Sequence, residues 1–226
     1  MINFIFKKIN SSYLYTLFFL CSIYVNPIFS GNQVMYFFHG LNFLGSGPII
    51  NDSHFNSSDP VPIFSLLIFL LNILSNKYIF LVLYAMFVGM YCRYGRKILY
   101  QICSIVSQVQ KNTIDFFIIL THSIYFSGYV LDINYLDDFI SIKIRDYFSP
   151  NIFVDGFANQ NVLGAGVFQP SVFSVFFLVS IFYFLKGNTT RTSFFLALPP
   201  LFHPTYALPS LSLFISFNFY YIINKN

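Results

Sequence analysis

Charge in this chain is confined to short clusters, and the gaps between them constrain the fold more than any motif does. No Asp, Glu, Lys or Arg occurs between Lys8 and Asp52, Asp59 and Lys77, Lys77 and Arg93, Asp115 and Asp132, Asp155 and Lys186, or Arg191 and Lys225. A charge at mid-bilayer costs about 3 kcal/mol on insertion scales, so long charge-free apolar runs broken by basic clusters are what a hydrocarbon solvent selects. Charged residues make up 9% of the chain and hydrophobic ones 56%, against roughly 25% charged in a soluble domain. The expectation is an all-α fold, a polytopic transmembrane bundle of about 6 to 8 helices, because a closed backbone is needed in lipid.

The remaining composition narrows little. There are 32 Phe, no Trp and no Glu, a bias of the kind that AT-rich coding sequence produces, so the Phe content carries no functional reading. The net charge of +4 is spread over short loops and fits positive-inside segments better than nucleic acid, which is not expected as a partner. Cys21, Cys92 and Cys103 form no CxxC and no metal-ligand spacing, so redox or zinc chemistry has no support, no metal ligands are assigned, and the cofactor is left unknown.

Seven spans are expected, at about 13–29, 61–75, 78–92, 114–131, 172–185, 193–206 and 208–223, within one membrane domain covering residues 1–226. Lys7 and Lys8 precede the first apolar run. The length of that run, and Ile28 at the third position back from a cleavage site at Ser30, favour an uncleaved anchor over a signal peptide. That places the N-terminus in the cytoplasm, with residues 31–60 and 132–169 as outer loops. Val61 to Cys92 is long for one span and short for two. Ser75, Asn76 and Lys77 suggest two short helices with a turn between them. Whether Ile98 to Val109 is another crossing or part of a cytoplasmic segment stays open. Asp132 to Asp146 reads either as an amphipathic interfacial helix or as a solvated connector. Pro199, Pro200, Pro204 and Pro209 point to two helices hinged near His203 rather than one rod. The last apolar block stops just before the C-terminus, which suggests a truncated or split version of a longer protein.

Three polar clusters fall on the outer side of this topology. The first contains Asn32, Gln33, His39, Asn51, Asp52, His54 and Asp59, whose carboxylates and imidazoles suit general-base work or a divalent cation; the alternative is a solvated loop. The second contains Asp155, Asn159, Gln160, Asn161 and Gln169 among glycines. Paired amides of this kind read sugar hydroxyls or a phosphate, and the alternative is a flexible connection. The third is His203, Pro204, Thr205 and Tyr206 inside an apolar block, either a functional intramembrane polar group or a hinge.

GNQ at Gly31 to Gln33, the Asn51–Asp52 pair, DPVPIFSLL at Asp59 to Leu67, FANQ and QPS within Phe157 to Ser171, and HPTY at His203 to Tyr206 together resemble an uncharacterised family of bacterial polytopic membrane proteins. The layout is similar to that of the C-type glycosyltransferases, which use polyprenyl-phosphate sugars. The resemblance implies a bacterial inner-membrane enzyme with membrane lipids and a polyprenyl-phosphate-linked sugar as partners. It implies Asp52 as general base or as a helper in metal binding, with Asp59 second and His54 beside them. Asp155, Asn159, Gln160, Gln169 and His203 would then bind substrate. This chain is about half the usual length of those enzymes and has no DD or DE pair in the first outer loop. The alternative is a non-enzymatic transporter or assembly component, although the inverted repeat expected of a transporter is not visible.

Overall fold

A computed structural model describes residues 32–42, 58–105, 107–115 and 168–224. Every regular element among them is helical. They are α1 (Asn32–Leu41), α2 (Pro62–Leu74), α3 (Ile79–Ile102), α4 (Val175–Leu185), α5 (Thr189–Phe202) and α6 (Ala207–Ile223). Short 3₁₀ turns at Pro170–Ser174 and Pro204–Tyr206 lead into α4 and α6, and residues 108–115 form a further helical stretch. The expected span at 13–29, nearly all of 114–131 and the segment 132–146 lie outside the described residues.

The helix ends follow from local chemistry. Pro62 sits in the first turn of α2, and the Asp59 Oδ1 accepts the Val61 N–H at 2.8 Å, an Asx turn that starts the helix. Between α4 and α5, Gly187 at φ +70° forms a Schellman stop: its N–H donates to the Phe184 carbonyl and that of Asn188 to Tyr183. Asn188 then caps α5, its Oδ1 accepting from the Arg191 N–H at 3.0 Å. A second Schellman stop ends α3, with the Ile105 N–H on the Tyr100 carbonyl and Ser104 at φ 51°. Pro199 and Pro200 lie inside α5. Pro200 has no N–H to give the Leu196 carbonyl, and the Ser210 Oγ of α6 supplies a hydrogen bond there at 2.7 Å.

Helix directions can be read from paired side chains. Phe80 stacks with Phe168, Phe87 meets Phe173, and Tyr94 meets Phe182. The Gln101 Nε2 reaches the Leu185 carbonyl at 2.6 Å, so α3 and α4 run in the same direction. The α3 residues that face inward, Phe80, Tyr84, Phe87, Tyr91, Tyr94, Ile98 and Gln101, alternate steps of four and three, the seam of a 3.5-residue repeat. α5 returns antiparallel to α4: Phe173 stacks on Phe202 at 3.7 Å, and the Ser180 Oγ donates to the Thr192 carbonyl at 2.9 Å. α6 turns again, with Phe177 against Tyr206 and Phe184 stacked on Phe217 at 4.1 Å. One core gathers Phe37, Phe64, Phe80, Phe87, Phe168 and Phe173, and a smaller one Phe177, Leu196, Tyr206 and Phe217.

Three features differ from the sequence expectation. Residues 31–60, read as an outer loop, open with α1, which packs on α2 so closely that a Cβ on Gly40 would lie 2.6 Å from the Ile68 Cβ. The helix expected to end near Cys92 runs unbroken through Arg93, Arg96 and Lys97 to Ile102. Ile98 to Ile102 therefore belong to α3 and do not begin a separate crossing. Finally, the 13 residues of α2 and the 14 of α5 give only about 20 Å at the usual rise, less than the roughly 30 Å of hydrocarbon. Among the described residues, one helical stretch, the 20 residues Pro204–Ile223, is long and apolar enough to cross a membrane.

Candidate functional site

The beginnings of α1, α4 and α6 and the end of α5 meet in a buried polar cluster. The Gln33 Nε2 donates to the Phe168 carbonyl at 2.9 Å, tying α1 to the segment before α4 across 135 positions of sequence. The Gln169 Nε2 donates to the Ser171 Oγ at 3.0 Å, and the Tyr206 hydroxyl donates to the Ser171 carbonyl at 3.0 Å. His203 closes the group. Its ring lies edge-on to Tyr36 at 6.1 Å and tilted against Tyr206 at 5.5 Å. All of these side chains except Tyr36, which is half-buried, are removed from solvent.

The backbone explains the convergence. Pro204 forbids continuation of α5, so His203 takes an extended conformation at φ −144° and ψ 110° and the chain re-enters as a 3₁₀ turn. Gln169 is likewise extended before Pro170. Two prolines thus stop the chain at the same level and leave Gln169 and His203 with side chains that helix packing does not occupy.

His203 is the unusual member. It is 7% exposed, its Nδ1 shares a hydrogen bond with the Thr205 Oγ1 at 2.8 Å, and its Nε2 has no partner among the described residues. An unpaired buried imidazole nitrogen costs about 1–3 kcal/mol. It can donate or accept depending on the tautomer, and Thr205, which is able to do either, leaves both states open.

Of the residues singled out in the sequence, Gln169 and His203 are brought together through Ser171 and Tyr206. Asp59 is not joined to them by any hydrogen bond among the described residues; its carboxylate starts α2. Asp52, His54, Asp155, Asn159 and Gln160 lie outside the described residues. No group of three or more His, Cys, Asp or Glu side chains able to hold a metal occurs among the described residues. Gln33, Tyr36, Ser171 and Tyr206 belong to the cluster without having been assigned a role from the sequence. The signal that could have found Gln33, Ser171 and Tyr206 is the set of GNQ, QPS and HPTY motifs, since each supplies one corner; Tyr36 lies in none of them. Comparison with protein-family models, with curated proteins and with solved structures found no match.

Proposed function

We propose that this chain is a multi-pass protein of the bacterial inner membrane, with its N-terminus in the cytoplasm, that handles a polyprenyl-phosphate-linked sugar at its outer end. The observation that carries the reading is the His203 Nε2, buried and without a hydrogen-bond partner among the described residues where the GNQ, QPS and HPTY motifs converge. A sugar hydroxyl or phosphate oxygen is the partner such a nitrogen lacks, and burial among apolar rings would strengthen that bond. In this reading Gln169 and His203 orient the sugar, and Asp155, Asn159 and Gln160 extend the contact. The resemblance to C-type glycosyltransferases assigns the proton transfer to Asp52, with His54 and Asp59 as secondary groups.

A second reading, a transport or assembly component without catalysis, is favoured by one observation: Asp59, an acid beside the membrane, is committed to the Val61 N–H. Glycan transfer in membranes at matched expression separates the two. The enzymatic reading predicts that Asp52→Asn lowers turnover by about 10²-fold or more, the loss typical of a general base, and that His203→Phe raises KM for the lipid-linked sugar. Full activity in Asp52→Asn would remove catalysis from the first outer segment.

A further inference from the structure

The opposite end of the helices carries a second, differently built polar surface. Arg93 and Lys97 lie one turn apart on α3, Lys186 caps the C-terminus of α4, and Arg191 is in the first turn of α5. The parallel run of α3 and α4 and the tight Lys186–Gly187–Asn188 turn bring these cations together. Their apolar floor is shared. The Lys97 Nζ lies 5.1 Å from the Phe182 ring and 5.6 Å from that of Tyr94. The Arg191 guanidinium lies 5.1 Å over Tyr183 and donates to its hydroxyl at 3.4 Å. Tyr94 and Tyr183 are themselves in contact, with centroids 6.5 Å apart.

No carboxylate balances this charge among the described residues. Asp115, the acid nearest this end in the chain, is held by both arms of Arg96 at 2.6 and 2.7 Å and by the Tyr100 hydroxyl. The N-terminus of α5 adds the positive end of its dipole. Burial, with the charges of Arg93 and Lys186 adding to it and Tyr183 opposing, pulls the Lys97 pKa below the ordinary lysine value. Exposed apolar side chains lie on the same helices: Phe194, 59% exposed, one turn beyond Arg191 on α5, and Tyr220, Ile222 and Ile223 at the end of α6, whose Tyr220 meets Phe184 of α4.

A cationic rim with tyrosine hydroxyls above bare aliphatic and aromatic faces matches one ligand chemistry, an anionic head with acyl chains. We propose that Arg93, Lys97, Lys186 and Arg191 form a seat for the phosphate of an anionic phospholipid, whose chains lie along Phe194 and the end of α6. This site rests on the membrane reading given above but not on the glycan reading, since it sits at the other end of the helices.

The test uses the full chain purified in a neutral detergent, with phosphatidylglycerol or phosphatidylcholine added at equal mole fraction and retained lipid counted by native mass spectrometry. Wild type should retain phosphatidylglycerol at least tenfold over phosphatidylcholine. Lys97→Gln with Arg191→Gln should bring the ratio near one. The charge-conserving pair Lys97→Arg and Arg191→Lys, and Lys77→Gln at the other end of α3, should keep it. Equal retention of both lipids by wild type would overturn the seat, and so would an unchanged preference in the Gln pair. Millimolar inorganic phosphate that displaces the lipid would reassign the site to a free anion. A chain that stays soluble and monomeric without detergent would sink the membrane reading itself, a different failure from lost lipid preference.

Discussion

Where α1, α4 and α6 begin, polar side chains are neutral and buried, and are satisfied by backbone carbonyls and by one another. Gln33, Gln169, Ser171 and Tyr206 all follow this pattern, and His203 departs from it through one nitrogen. Where α3 and α4 end, the cations Arg93, Lys97, Lys186 and Arg191 reach solvent, Lys97 and Arg191 over aromatic rings, while Arg96 and Asp115 are mostly covered and neutralise each other. Neutral amides can be buried because each hydrogen bond returns about what desolvation removes, whereas a buried charge needs a partner or costs several kcal/mol. The two ends are therefore built by different rules, one by hydrogen-bond complementarity among buried neutral groups, the other by exposed charge beside a single neutralised pair.

If the charged end holds together through its neutralised pair, Arg96→Met should destabilise the protein more than any single change at the neutral end. It leaves the Asp115 carboxylate, 14% exposed, without its bidentate partner, at a cost of about 3 kcal/mol. Chemical unfolding in detergent micelles measures this, and a loss under about 1 kcal/mol would mean that solvent already screens the pair. The uncharged contact between α1 and α2 should respond to shape instead. Gly40→Ala puts a methyl 2.6 Å from the Ile68 Cβ and 2.7 Å from the Ser65 carbonyl, at a cost of about 2 kcal/mol. Adding Ile68→Ala should restore only part of that, because the carbonyl cannot retreat. The smallest effect has the opposite sign. Ser104 at φ 51° occupies the left-handed region in the α3 stop, so Ser104→Gly should stabilise the protein by about 1 kcal/mol in the same unfolding experiment.

Much of this architecture can be read from local sequence. Ser75–Asn76–Lys77 separates α2 from α3, Gly187–Asn188 turns α4 into α5, and Pro204 divides α5 from α6, each by rules that act within a few residues. α1 is hidden only by the polar residues around it, since Val34, Phe37, Phe38 and Leu41 keep helical spacing. The continuation of α3 past Arg93 is masked because basic residues usually close a span. The four-three pattern of Phe80, Tyr84, Phe87, Tyr91, Tyr94, Ile98 and Gln101 runs straight through them. What local rules cannot supply is pairing. Gln33 with Phe168, Tyr206 with Ser171 and Arg96 with Asp115 are separated by 135, 35 and 19 positions, and only the packed helices decide them. In the sequence, Gln169 and His203 are therefore visible as two candidates and not as one site.

The proposed topology puts the neutral and charged ends on opposite sides of a membrane. Single cysteines at position 205, beside His203, and at position 186 test it most directly, in a background where Cys21, Cys92 and Cys103 are replaced by serine. Both native side chains are exposed. In intact cells a membrane-impermeant maleimide should label Thr205→Cys and leave Lys186→Cys unreacted until the membrane is permeabilised. Labelling of Lys186→Cys in intact cells, or equal labelling of both, would contradict the claim.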